Sequence, residues 1–220
     1  DDYDEDKTLD DDKTGRTGTK EELFRGETPE VIEKLEVDDV ALYSVSDSVI
    51  ANQMTNILVK HIQKSRLGDD LVIADGMACV GGNTISFARS SKFTRVFSNE
   101  LDNTRVKMLE NNVTDVLRLS NVSVVNSSIL NAPFLEEIDI LFLDPEWSDS
   151  KGKGKDDITI GSVKLEDFVE DVLDKHRRIK IVALKLPYTF DKTTLKRFNS
   201  SSGFVVNTYY LGKHNNVLYI

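Results

Sequence analysis

The feature that most limits what this chain can become is an alternation of short apolar runs and amphipathic stretches from residue 71 onward. Strand signals at 71–74, 95–98, 122–125, 138–143 and 179–186 are separated by helical patterns at 84–90, 103–113 and 165–176. A further helix is expected at 191–198. Strands at 204–210 and 217–220 then flank Gly212-Lys213-His214-Asn215-Asn216, a hairpin signal. Alternation of this kind requires crossover connections, and these yield a mostly parallel sheet with helices on both faces. The closing hairpin adds one antiparallel strand. The expected fold class is therefore α/β, three-layered, with a mostly parallel seven-stranded sheet and an antiparallel strand from the C-terminal hairpin.

Upstream of that alternation, residues 1–22 have almost no apolar content and read as an acidic flexible tail. Residues 23–65 read as a helical N-terminal extension, and 66–220 as the main domain. Thr28 caps a short helix at 29–35, with Pro29 in its first turn. Ser46 is the expected cap of a longer helix whose stripe is Ile50, Met54, Ile57, Leu58 and Ile62, ended by Gly68.

The formal charge of −10 is unevenly spread: the first twelve residues hold eight acids and one lysine, −7 of the total. Residues 175–197 hold eight Lys/Arg against one acid, Asp191, so the chain's acidity does not exclude a polyanionic partner. That basic segment is either a phosphate-contacting face or a solvated surface. The acidic tail is a candidate docking segment for a protein partner. No apolar run is long enough to span a membrane. The acidic start does not resemble a signal or transit peptide. One cysteine, Cys79, excludes a disulfide framework, and three histidines without paired spacing offer no metal site. These features point to an intracellular setting, nucleus or cytoplasm, or the host cytoplasm for a viral source.

The first strand runs into Asp75-Gly76-Met77-Ala78-Cys79-Val80-Gly81-Gly82-Asn83-Thr84. Glycines at such a turn let backbone approach a ligand, and a helix that starts there presents free amides. The loop lacks Gly-x-Gly-x-x-Gly, which disfavours a dinucleotide. At the end of the next strand stands Glu100, a carboxylate able to accept from both hydroxyls of a ribose. An acid with a glycine loop, followed by an acid one strand later, is the usual signature of S-adenosylmethionine binding. Asp75, Gly76, Ala78, Gly81, Asn83, Thr84 and Glu100 are the candidate cofactor contacts. Ser128, after the third strand, is a candidate for the adenine, as are Asn126 and Ser127; a plain polar turn is the alternative. Asp102 reads as a helix cap.

The run Ile138–Leu143 ends in Asp144-Pro145-Glu146-Trp147. An acid accepts hydrogen bonds, a proline stiffens the turn, and an indole offers a flat face to a planar ring. Enzymes that methylate the exocyclic amine of a nucleobase carry Asp/Asn/Ser-Pro-Pro-aromatic at this corner. Asp144, Pro145, Glu146 and Trp147 are the candidate catalytic residues, with Asp144 also facing the cofactor. Lys151 and Lys153, in the glycine-lysine run that follows, and Lys185, at the end of a later strand, are candidate contacts to substrate phosphate.

These segments together resemble the trimethylguanosine synthase family, the RNA cap guanine-N2 methyltransferases. Asp75 to Ala88, DGMACVGGNTISFA, is similar to that family's Asp-x-x-x-Gly-Val-Gly-Gly-Asn-Thr-Ile-x-Phe-Ala. Tyr43-Ser44-Val45-Ser46 resembles its Tyr-Phe-Ser-Val entry, and Leu141 to Trp147 its Phe-Leu-Ser-Pro-Pro-Trp. Glu146 stands where the family has a second proline, and Ser148-Asp149 where it has two glycines. The resemblance spans residues 40–220. It implies a Rossmann-like methyltransferase fold, S-adenosylmethionine as cofactor, and capped RNA or a 7-methylguanosine nucleotide as substrate. It also implies Trp147 stacked on the methylated guanine and Asp144 beside the amine. A carboxylate at Glu146 suits the N1–H and N2–H edge of that base. Three alternatives stay open: another nucleobase amine in rRNA or DNA, the ribose 2′-hydroxyl of a cap through an Asp144–Lys185 pair, and a non-catalytic subunit that keeps the fold.

Overall fold

The computed structural model describes residues 18–44, 46–146, 158–201, 203–212 and 216–220. The extension contributes α1 (Lys20–Leu23), α2 (Pro29–Lys34) and α3 (Asp39–Ser44), followed by α4 (Ser48–Lys64). Then come β1 (Leu71–Asp75), α5 (Gly82–Arg89), β2 (Phe93–Asn99) and α6 (Asn103–Glu110), with a π-helical turn at Asn111–Val116. β3 (Val122–Val125) and β4 (Ile140–Leu143) follow. A small two-stranded sheet, β5 (Thr159–Ile160) and β6 (Val163–Lys164), leads into α7 (Leu165–Lys175), β7 (Ile181–Pro187), α8 (Lys196–Ser201), β8 (Thr208–Leu211) and β9 (Asn216–Tyr219).

The main sheet has seven strands in the order β3-β2-β1-β4-β7-β9-β8. β9 runs antiparallel to both β7 and β8, and the other pairings are parallel. Strand order reverses between β1 and β4, and ligands of open α/β sheets bind at the carboxyl ends of the strands flanking such a reversal.

Side chains alternate across the sheet as the pleat requires. Ile140 and Phe142 of β4 face the layer of α4 and α5, packing with Met54, Leu58 and Phe87. Leu141 and Leu143 face α7 and the segment after β7, with Phe168, Val169 and Phe198. Asp75, Asp144 and Lys185 continue the α4/α5 side of β1, β4 and β7, so one edge of one face carries a polar row. A third apolar cluster joins the extension to the glycine loop and α6: Leu23, Phe24, Ile32, Leu35 and Ala41 pack with Ala78, Val80, Leu109 and Val113.

Several elements depart from expectation. Ordered structure starts before residue 23: Thr19 and Glu22 form a reciprocal capping box that begins α1 inside the stretch read as tail. Asp47, not Ser46, caps α4; its carboxylate accepts from the Ile50 amide at 2.9 Å. The helix expected at 103–113 passes into the π-helical turn. The strand expected from 204 is shorter, because residues 204–206 leave the ladder and Phe204 and Val206 pack against the apolar cluster beneath α7. Among the described residues no helix is long and apolar enough to cross a membrane.

Candidate active site

β1 delivers Asp75 to the edge of the sheet with no solvent exposure. Its Oδ2 accepts from Thr84 Oγ1 at 2.7 Å, and Thr84 Oγ1 lies 2.6 Å from Ser98 Oγ, so the start of α5 is tied to two strands. Asp75 Oδ1 is buried without a partner. Burial pushes the Asp75 pKa up to about 7; the Thr84 hydrogen bond opposes this, and the negative neighbours Asp144 and Glu100 add to it.

The loop behind Asp75 is held by backbone. Gly76 N–H donates to Phe142 O at 2.9 Å, Ala78 N–H to Asn99 O at 2.8 Å, and Cys79 N–H to Glu100 Oε1 at 3.0 Å. A Cβ on Gly76 would lie 2.7 Å from Leu143 Cδ2 and 3.2 Å from Phe142 O, so a larger residue would force its neighbours to shift where β1 and β4 converge. Gly81 starts α5 at φ +103°, a conformation that favours glycine. Burial pushes the Cys79 thiol up to about 12, which removes it as a nucleophile. Glu100 is buried, with Oε2 accepting from Asp102 N–H at 2.7 Å; burial raises its pKa and these amides oppose the rise. Asp102 is the cap of α6, accepting from the Thr104 and Arg105 amides.

The candidates after β3 have local partners. Asn126 Nδ2 donates to the carbonyls of Glu100 and Leu101, Ser127 Oγ donates to Asn99 Oδ1, and Ser128 Oγ accepts from Leu130 N–H at 3.3 Å.

One strand over, Asp144 stands beside Lys185, whose Nζ lies 3.4 and 3.5 Å from its two oxygens. Lys185 is only 6% exposed. Its ammonium thus pairs with Asp144, the arrangement that the 2′-hydroxyl alternative invokes. Burial raises the Asp144 pKa, opposed by Lys185 first and then by Asn83 and Ser46. Ser46 Oγ and Asn83 Oδ1 are buried with no hydrogen bond of their own, although both residues face Asp144. Pro145 is buried and Glu146 exposed. Glu146 Oε1 meets Arg105 Nη1 at 3.1 Å, and Arg105 Nε meets Asp38 Oδ2 at 3.1 Å. Trp147, Lys151 and Lys153 lie outside the described residues.

The fold therefore brings Asp75, Asn83, Thr84, Glu100, Asp144 and Lys185 to one edge, joined by Ser46, which the resemblance includes in the family's entry segment, and by Asp38 of the extension; it adds Arg105 and Asn112, which had no sequence signal as site residues. Asn112 is fully buried. Its amide accepts from Glu36 N–H at 2.7 Å and donates to Glu36 O at 2.8 Å and Val80 O at 2.9 Å, clamping the extension to the glycine loop. Three cations of the basic segment, besides Lys185, meet carboxylates remote in sequence or one helical turn away. Arg178 meets Asp139 at 3.1 Å, Arg197 meets Asp167 and Glu170 at 2.8 Å, and Lys175 meets Asp171 at 2.8 Å.

Comparison with known proteins places this architecture. No protein-family model matches the chain. It is 27% identical over 191 residues to the uncharacterized protein L320 of Acanthamoeba polyphaga mimivirus, covering 77% of this chain and 73% of that one. Among solved structures, a methyltransferase from Geobacter sulfurreducens matches with a TM-score of 0.53 and 17% identity, covering 88% of this chain and 90% of that one. The human methyltransferase 10 domain containing protein matches with a TM-score of 0.53 and 14% identity, covering 88% and 86%. The fold is that of the class I methyltransferases.

Proposed function

We propose that this chain is an S-adenosylmethionine-dependent RNA methyltransferase acting on the exocyclic N2 of a 7-methylguanosine cap. The observation that carries the reading is a set of buried polar atoms without partners at the strand-order reversal: Asp75 Oδ1, Asn83 Oδ1 and Ser46 Oγ. Buried polar groups in native proteins are paired, so a cluster of unpaired ones marks where a ligand completes the site. The donor set fits the cofactor. Asp75, costly to ionise in isolation, suits the ammonium of the methionine moiety, and each Glu100 oxygen keeps a lone pair for a ribose hydroxyl. In this reading Ser128 meets the adenine, and Gly76, Ala78 and Gly81 let the loop pack closely beside the cofactor.

When bound, S-adenosylmethionine supplies an electrophilic methyl group on a sulfonium. The chain's own residues do the rest. Asp144 accepts an N–H of the amine, which favours the pyramidal nitrogen that attack needs. Lys185 holds that carboxylate and keeps it oriented. With its pKa raised by burial, Asp144 also serves as acceptor for the proton the nitrogen sheds. In this reading Trp147 stacks on the cationic base, and Lys151 and Lys153 meet the triphosphate.

A second reading is favoured by one observation, the buried Lys185 held by Asp144. A lysine so placed can deprotonate a ribose hydroxyl, which makes 2′-O transfer the rival. Incubation of the full chain with S-adenosylmethionine and 7-methyl-GTP-capped RNA, followed by nuclease digestion and mass spectrometry, separates them. The proposal expects the new methyl on the cap guanine base; a methyl on the first transcribed ribose would favour the rival.

A further inference from the structure

We infer that Glu146 is a positioning residue: it fastens the acceptor corner, through Arg105, to α6 and to the N-terminal extension. The inference rests on the reading of Asp144 as the acceptor-side carboxylate, and it concerns the one residue of that corner that departs from the amine-methylating pattern.

Arg105 holds two carboxylates on two different nitrogens: Nη1 takes Glu146 Oε1 and Nε takes Asp38 Oδ2, each at 3.1 Å. Its guanidinium is the less exposed partner in both pairs, at 18% against 68% for Glu146 and 29% for Asp38. The planar fork of an arginine suits this double duty, and a lysine can match only part of it. The anchor is firm at its base, because the Arg105 N–H donates to the capping carboxylate of Asp102 at 2.8 Å. It is firm at the far end too, because the other oxygen of Asp38 accepts from Ala41 N–H at 2.7 Å and so starts α3. α3 leads on to Ser46, which faces Asp144. The segment between Asp38 and Ser46 is thus held to Glu146 at its start, through Arg105, and passes in front of Asp144 at its end.

Pro145 lies between the two acids. Its ring fixes φ and removes a backbone donor, so a pull on Glu146 is transmitted to Asp144 rather than absorbed by the turn. A proline in place of Glu146 would stiffen the corner from within; a glutamate tethers it from outside. Glu146 then acts on the reaction through Arg105 and Asp144, not by touching the base. The alternative role, a direct contact to the guanine edge, makes the opposite prediction for Arg105.

The test compares the full chain with Glu146→Gln, Arg105→Gln, Arg105→Lys and the Glu146→Gln/Arg105→Gln pair. Hydrogen exchange without cofactor is read over residues 36–44. Each Gln variant should speed exchange there by about two- to five-fold, the range that half-exposed ion pairs supply. The pair should do no more than Arg105→Gln alone, and Arg105→Lys should fall between, which also covers the case in which Arg105→Gln folds poorly. In turnover with 7-methyl-GTP, both Gln variants should lower kcat by up to about 100-fold while KM stays within about two-fold. Unchanged exchange in Glu146→Gln would overturn the inference. So would a raised KM with intact kcat in Glu146→Gln alone, which would identify a direct contact to the base. If the wild-type chain shows no cap methylation, the cap reading fails, and the exchange comparison still decides the tether.

Discussion

The two halves of the site are built on different plans. The half at β1, α5 and β2 is assembled from residues close in sequence: one oxygen of Asp75 accepts from Thr84, nine residues on, and Glu100 from Cys79 and Asp102, 21 and two residues away. The half at Asp144 is assembled from afar. Lys185 and Arg105 each reach its acids across 41 residues, and Asp38 reaches Arg105 across 67. The near half places an acid whose charge is poorly compensated within the protein; the far half meets every acid with a cation. One half is prepared for a positively charged ligand, and the other is stiffened by ion pairs of its own.

The sharpest way to break this contrast is to remove the compensation in the far half. Asp144→Ala leaves the Lys185 ammonium buried without its partner and should cost about 3–5 kcal/mol in urea unfolding. Lys185→Met should cost less, because Asp144, with its pKa already raised by burial, can take up a proton instead.

The near half should respond in the opposite sense. The folded-state pKa of Asp75, about 7, lies above its unfolded value, so its contribution to stability is fully present below the unfolded pKa. That contribution fades as pH rises and is lost once pH passes about 7. Asp75→Asn should therefore gain on the wild type without cofactor between pH 5 and 8, by up to roughly 4 kcal/mol, while losing affinity for S-adenosylhomocysteine. Thermal unfolding across that pH range, with and without S-adenosylhomocysteine, checks both.

Asn112→Ala should cost about 2–3 kcal/mol, because it strands the buried Val80 carbonyl and the Glu36 backbone groups; limited proteolysis should then cut within residues 18–47 sooner than in the wild type. The smallest effect belongs to Glu146→Gln, under about 1 kcal/mol of global stability for so exposed a pair, as read by denaturant midpoint.

The same contrast explains what could be read from the chain alone. The alternation of apolar runs carries the sheet because each strand's burial is written in four to seven consecutive residues, and the glycine loop is legible because Gly76 and Gly81 answer local steric demands. The start of α1 was hidden although Thr19 and Glu22 spell a capping box, because the surrounding composition is that of a solvated tail. Ser46 and Asp47 are both good caps; the helix takes Asp47 because Ser46 is turned toward Asp144. Lys185 is legible beside Asp144 because both end strands, but Arg105 and Asp38 have no periodicity or motif linking them to residues 144–146. Their roles are set by strand order and by the packing of the extension on α6, which no local pattern encodes. The carboxylate partners of Arg178 and Arg197 were hidden for the same reason, since Asp139, Asp167 and Glu170 are brought to residues 175–197 only by the fold.

The central claim is that one edge of this sheet joins a cofactor half to an acceptor half for methyl transfer to a cap guanine. Its most direct test is mass spectrometry of 7-methyl-GTP, capped RNA and uncapped RNA after incubation with S-adenosylmethionine, with wild type beside Asp144→Ala. The account predicts methylation of the guanine base in both capped substrates, none in uncapped RNA, and loss of the product in the variant. Binding of S-adenosylmethionine without any methylated product, or a product equally abundant with uncapped RNA, would contradict it.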